Sequence, residues 1–426
     1  MTRQTSFAGW LPVGCIALGL LLSACSSEDL TDAAQPAGSG GNAAPGSSGA
    51  ASGGASNSGG SGGVSGSPAA DAVARLLPRD ARLVSLYEPP LNFSATALAF
   101  DPLRPGELWV TLRRFPTGAP CTEQDPTGCA ALRGQVTLLV GATGPNPMAE
   151  QRRDGNAWHF MRRPTSIAFG DNGNLATCGE ARTDNYEDEV IDYSGPTLWS
   201  SDPSIFGATP QADQNGTHLD MLHSTPYCMG IEHERGNIYF TFNGKLGAID
   251  RYDFKEPHQI GGEDHSDGEL YRYAEGEFTR APEIPSHLAL DRERQMLYVA
   301  DTGNGRVARL DITSGSMGDD VETNDPIHVH VSMVGAIVDT FVKGAPLTAP
   351  SGVVVVSSNV FVTDNATSRI HAFDPQGHEL ASMETGLPSG SLAGIAIGPD
   401  ERLYLADLKN GRAYRVESST GAGGAD

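Results

Sequence analysis

Six of the eleven histidines fall between residues 218 and 287: His218, His223, His233, His258, His265 and His287. Just upstream, the segment "GEARTDNYEDEVIDYSGP" is acidic and holds Glu180, Asp184, Glu187, Asp188 and Glu189. Neutral imidazoles with a carboxylate make a zinc donor set, and carboxylates with carbonyls make a calcium one. The chain has neither an HExxH pair nor an EF-hand loop. It also lacks a GxSxG, a P-loop or a dinucleotide fingerprint in strand–turn–helix context, and helical periodicity is nearly absent.

Six cysteines are present. Cys15 lies inside an apolar leader and Cys25 ends it, which leaves Cys121, Cys129, Cys178 and Cys228. An even number outside the cytoplasm argues for disulfides, in one of three connectivities. No spacing is a CxxC, which speaks against a zinc ribbon or a thiol redox motif. The formal net charge of -23 and a pI of about 4.8 disfavour nucleic acid, because phosphate binding needs a positive surface.

The N-terminus sets the compartment. Arg3 precedes the apolar run "WLPVGCIALGLLLSAC", which is laid out as a signal peptide and is too short for a stable span. Leu22 to Cys25, "LSAC", resembles a bacterial lipobox, which implies cleavage before an acylated Cys25. Several acyl chains would anchor the protein to the membrane. Ser26 follows in place of an aspartate, so the expected location is the outer membrane, periplasmic or surface-facing. Residues 25–70 are rich in Gly, Ser and Ala, with no aromatic residue, and read as a flexible tether of roughly 35–40 Å span. The expected organisation is a leader over 1–24, this tether, a folded body over 71–418 and a disordered tail over 419–426.

Within the body, one pattern recurs. "LAFDPLRPGELWVTLRR" from Leu98 can be aligned with segments starting at Ile167, Met229, Leu288, Val353 and Ile395. Each is an apolar run, a tight Gly/Asp/Asn/Arg turn and an alternating run, the signature of paired strands. In the last three a further strand follows. The best unit is "PSGVVVVSSNVFVTDNATSRIHAFDPQG". Six such units resemble NHL-type repeats, which implies an all-β, six-bladed β-propeller with four antiparallel strands per blade. The family's hallmark is an aspartate ending the second strand and an arginine opening the third. It falls on Asp301/Arg306, Asp364/Arg369 and Asp407/Arg412, where a charge-assisted hydrogen bond is expected to fix the turn. Phe242 stands at that place in the third unit. The last unit ends one strand short, and "RLVSLY" over residues 82–87 is expected to supply the missing outer strand and close the ring.

The resemblance also implies positions. Loops before the first strand and after the second share one face, here called the top, and the long insertions fall on it. A Cys121–Cys129 bridge would staple the first insertion. Cys178 and Cys228 map to the top rim of neighbouring blades and are expected to pair. His218, His223 and His287 map to the same face beside Glu180, so these four are the expected metal set, for zinc or calcium. His258 and His265 are expected on the opposite face, away from them. His287, in "PSHLALD", sits at the channel end of a first strand. Peptidyl-amidating lyases, propellers of this kind, hold zinc at such positions in several blades. Here the equivalents are Ala97, Ser166, Cys228, Gly352 and Gly394, so the three-histidine ring is absent. Gluconolactonase-like propellers place asparagines after prolines, and "PTSIAF", "PSHLAL" and "PSGVVV" lack them. Two functions therefore stand. One is a membrane-anchored scaffold that binds protein, peptide or glycan through top-face loops. The other is a metal-dependent lyase or hydrolase at the channel mouth.

Overall fold

The computed structural model describes residues 68–115, 118–189, 191–208 and 215–419. The leader, Cys25 and nearly all of the segment assigned as tether lie outside them, as does the tail from residue 420. Among the described residues no helix is long and apolar enough to cross a membrane.

Six sheets form the blades, each built on four antiparallel strands. Blade I is β2 (Phe93–Phe100), β3 (Glu107–Arg114), β4 (Gln135–Val140) and β5 (Met148–Arg152). Blade II is β6 (Pro164–Phe169), β7 (Asn174–Gly179), β8 (Thr197–Ser200) and β9 (His218–Met221). Blade III is β10 (Cys228–Arg235), β11 (Ile238–Asn243), β12 (Ala248–Asp253) and β13 (Glu269–Tyr273). Blade IV is β14 (Leu288–Asp291), β15 (Met296–Asp301), β16 (Arg306–Asp311) and β19 (Ile337–Lys343). Blade V is β20 (Pro350–Val356), β21 (Asn359–Asp364), β22 (Arg369–Phe373) and β23 (Glu379–Glu384). Blade VI is β24 (Leu392–Ile397), β25 (Leu403–Asp407), β26 (Ala413–Ser418) and β1 (Ala81–Ser85). The first strands of successive blades touch in ring order, and β2 meets β24, so the protein is a closed six-bladed propeller.

Closure comes from the two ends of the domain. β1 pairs with β26 in antiparallel register from Ala81↔Ser418 to Ser85↔Tyr414, as residues 82–87 foretold. Tyr87 then donates its hydroxyl to the Gly411 carbonyl at 2.7 Å.

The apolar core is six wedges, one between each pair of blades. Trp109 of blade I meets Trp199 and Phe206 of blade II in one such wedge. Small residues hold the axis, because first strands converge there. A Cβ on Gly230 would sit 2.2 Å from the Ser286 carbonyl oxygen, and one on Gly352 would sit 2.5 Å from that of Ala393.

Three features depart from expectation. Helix α1 (Pro68–Leu76) begins within the segment assigned as tether. Its Val73 and Leu76, with Leu77, pack into the wedge between blades V and VI, which repays the ordering of those residues. Blade III has six strands rather than four. Hairpin β17 (Ser316–Asp320) and β18 (Val329–Val334), inserted between β16 and β19, crosses over, and β18 pairs parallel with β13. That covers an edge which would otherwise stand open.

The third departure concerns the Asp/Arg hallmark. All three aspartates are fully buried. Only Asp301 bonds its arginine, with Arg306 Nε at 2.7 Å. Asp364 accepts instead from the Thr348, Ala349 and Thr367 backbone N–H groups, while Arg369 turns to Glu384. Asp407 accepts from the Lys409 and Asn410 N–H groups, and Arg412 pairs with Glu88. The side-chain oxygens' common task is to accept from backbone N–H groups of nearby loops, Thr279 N in the case of Asp301. Blade III shows it too: Asn243, not Phe242, ends β11 and accepts from Lys245 N and Leu246 N.

Candidate functional site

Both expected disulfides are present. Cys121 and Cys129 join with Cα atoms 4.6 Å apart, inside the insertion that follows β3. Their buried sulfurs sit with Leu132 against Trp158 and Tyr186, which stack at 5.2 Å. Cys178, on β7, joins Cys228, which opens β10, with Cα atoms 5.7 Å apart. That bridge ties blade II to blade III beside the axis.

Glu180 follows β7 directly and is buried, but among arginines rather than histidines. It accepts from Arg113 Nη1 at 3.2 Å, from Arg280 Nη1 at 2.6 Å and from the Glu283 backbone N–H at 3.0 Å. Arg163 adds a longer contact at 3.9 Å and pairs with Glu283. The group knots β3, the segment entering β6, the segment after β7 and the loop entering β14 into one charged junction. A carboxylate engaged this way is not available to a metal.

His287 stands at the channel, as its place in a first strand implies. Its Nε2 donates to the Thr165 carbonyl of blade II at 3.1 Å, and its ring lies against Gly394 of blade VI. Burial lowers its pKa to about 4, so the ring is neutral. Below it, the channel is a cavity of about 470 Å³ with mostly aliphatic walls, broken by Glu232, His233 and Arg292.

His218, His258 and His265 converge elsewhere, at the outer rim of blades II and III. His218 opens β9, the fourth strand, at the end of the blade away from the top loops. The 254–268 loop of blade III runs along β9 and bonds to it through His258 N to Leu219 O, 3.0 Å, and Gly261 N to His218 O, 2.9 Å. This brings His258 and His265 to His218, which overturns their expected separation. The rings of His218 and His258 are 4.9 Å apart, and those of His258 and His265 are 5.2 Å apart. Phe160 stacks on His218 at 3.8 Å. Burial pushes His218 down to about 3, while His265 is raised: burial lowers it, but the Asp220 carboxylate at 2.8 Å outweighs that.

His223 stands beside this group, its ring 6.1 Å from that of His265. Asp325, from the hairpin donated by blade IV, accepts from both its backbone N, 2.5 Å, and its Nδ1, 2.8 Å. Of the four residues expected to share a metal, then, His218 enters the histidine cluster and His223 borders it. Glu180 and His287 are each engaged elsewhere.

No protein-family model matches the chain, and no curated protein matches it. Solved structures do. A catalytically inactive virginiamycin B lyase from Staphylococcus aureus is 10% identical, covering 80% of this chain and 89% of its own, with a TM-score of 0.42. A gluconolactonase from Xanthomonas campestris is 15% identical, over 81% and 92%, at 0.42. An auxiliary nutrient binding protein from Bacteroides ovatus is 11% identical, over 79% and 76%, at 0.48. At these values the likenesses say nothing of activity, and one fold hosts many.

Proposed function

We propose that the protein is an NHL-like propeller lipoprotein, anchored at the outer membrane through Cys25, that serves as a binding scaffold. Its partner is a protein, peptide or glycan taken on the top face. The observation that carries this reading is the covalent and ionic bracing of that face. Its long loops are held by two disulfides and by the Glu180 junction, and preorganised loops lose little freedom on binding. Two adjoining hollows of about 360 and 350 Å³ open there. Arg114, Arg163, Arg182 and Lys409 line them alongside Glu187 and Glu283, Arg163 paired with Glu283 and Arg182 with Asp192, in a chain whose net charge is -23. Cations set against that background favour an anionic group on the ligand. The other function weighed, a lyase or hydrolase at the channel mouth, would need His287 released from Thr165.

The test is binding to an array of acidic glycans and peptides. Wild type is expected to retain a subset at micromolar affinity, and the double variant Arg163→Glu, Lys409→Glu to lose it. Arg292→Glu, at the channel, should leave it unchanged. An array that captures nothing, or captures equally with the double variant, sinks the scaffold reading.

A further inference from the structure

The Nε2 atoms of His218 and His258 are buried and have no hydrogen-bond partner among the described residues. An orphaned buried polar atom costs roughly 1–3 kcal/mol, so two on neighbouring rings call for an explanation. The other nitrogen of each ring is already committed. His218 Nδ1 bonds the Asn215 carbonyl and His258 Nδ1 the Gln259 carbonyl, both at 2.6 Å. His265 Nδ1 bonds the Asp220 carboxylate at 2.8 Å. A carbonyl or carboxylate only accepts, so each Nδ1 carries a hydrogen, and in the neutral ring that a metal selects each Nε2 keeps its lone pair. One ring nitrogen from each of the three lies within 4.8 Å of the other two. Three imidazoles gathered this closely, each with an acceptor on its Nδ1, are the arrangement of a metal-binding histidine set.

We propose that His218, His258 and His265 form a site for a divalent transition metal of the zinc type at the outer rim of blades II and III. The donors are all imidazole nitrogens, which suit zinc and its neighbours and not calcium or magnesium. Zinc–nitrogen bonds of about 2.0–2.1 Å require the three nitrogens to draw inward by about an ångström. The loop bearing His258 is built for that. Gly261 takes φ +68°, and a Cβ on Gly262 would lie 2.8 Å from the His258 ring, so the backbone there can fold tightly under the imidazole. Three ligands leave a coordination position over. His223, whose Nε2 is also buried and unpartnered among the described residues, stands on the His265 side of it. The site draws on none of the residues of the top-face hollows, and the two readings stand or fall separately.

The experiment strips the full chain with chelator and titrates it with zinc sulfate, reading heat and, after desalting, bound metal. The expected result is about one zinc per chain. His258→Ala and His265→Ala, on a partly exposed loop, should each weaken zinc at least about a hundredfold, because even outer partners of a ligand are worth 10–100-fold. Asp220→Asn should weaken it about tenfold by loosening His265. His378→Ala, exposed and remote in sequence, should change nothing. Cobalt(II) loaded into wild type reads the site without any variant: intense visible bands of a low-coordinate, nitrogen-rich ion support it. The pale spectrum of the hydrated ion overturns it. So do zinc binding that survives both histidine variants, no zinc binding at all, and calcium that zinc fails to displace.

Discussion

His287 reaches across the propeller axis and bonds the Thr165 carbonyl at 3.1 Å, joining blade IV to blade II. Its neutral, buried ring is therefore a brace. His287→Ala removes that bond and leaves a gap beside Gly394. We expect a loss of about 2 kcal/mol in denaturant unfolding, with bound zinc per chain unaltered. A variant as stable as wild type would mean that the ring does not depend on this contact.

Cys178→Ala paired with Cys228→Ala opens a bridge spanning 50 residues of sequence. The chain-entropy relation gives about 4 kcal/mol for a loop of that length. Cys121→Ala with Cys129→Ala, across a separation of 8, should cost less, about 2.5 kcal/mol. Equal costs for the two pairs would show that loop length is not what decides. The check is the denaturation midpoint of each double variant under oxidising conditions.

Asp184 is buried, and that burial raises its pKa to about 7 despite the Arg162 charge and bonds from Ser194 and Gly195. The ordinary value is 3.8. The folded state thus holds this proton more tightly than the unfolded one, so the contribution to stability falls as pH rises from about 4 to about 7. Asp184→Asn cannot ionise. Its stability relative to wild type should climb across that window, by roughly 4 kcal/mol in all, and be flat outside it. A difference independent of pH would place the carboxyl's proton elsewhere.

Arg306 and Arg412 occupy matching places in blades IV and VI, yet their variants should differ. Arg306→Ala strips a partner from fully buried Asp301 and is expected to cost about 1.5–3 kcal/mol. Arg412→Ala loses a pairing with exposed Glu88 and should cost under about 1 kcal/mol. Thermal melts of the two variants side by side decide it.

The propeller was legible because each unit repeats an apolar run, a polar turn and an alternating run. The closing strand was legible because residues 82–87 alternate and the last unit lacks a partner. Cys178 and Cys228 could be paired because each falls at a strand end whose place in a blade is known. Helix α1 was hidden because it is short, and few of its residues, chiefly Val73 and Leu76, carry its packing. The donated hairpin was hidden because an insertion does not declare which blade it joins. The metal set was misassembled for one reason. His218 reads as part of a long top loop, yet it opens β9, a strand of only four residues. Moving one histidine from a loop to the far end of a strand changes which loop it meets. The orphaned Nε2 atoms that mark the cluster are a property of packing, which no spacing in the sequence displays.

The hairpin donated by blade IV separates the order of synthesis from the order of assembly. Strand β13 ends at Tyr273, but its parallel neighbour β18 starts at Val329. A chain emerging N-terminus first therefore holds blade III with an unsatisfied margin while the next four strands are still being delivered. Asp325, which anchors His223, arrives in the same late segment. Blade VI waits too, for β26 to meet a strand made at the outset. Two blades thus finish only when later sequence is in hand. A chaperone that shields bare strand margins during export would act most usefully in that interval.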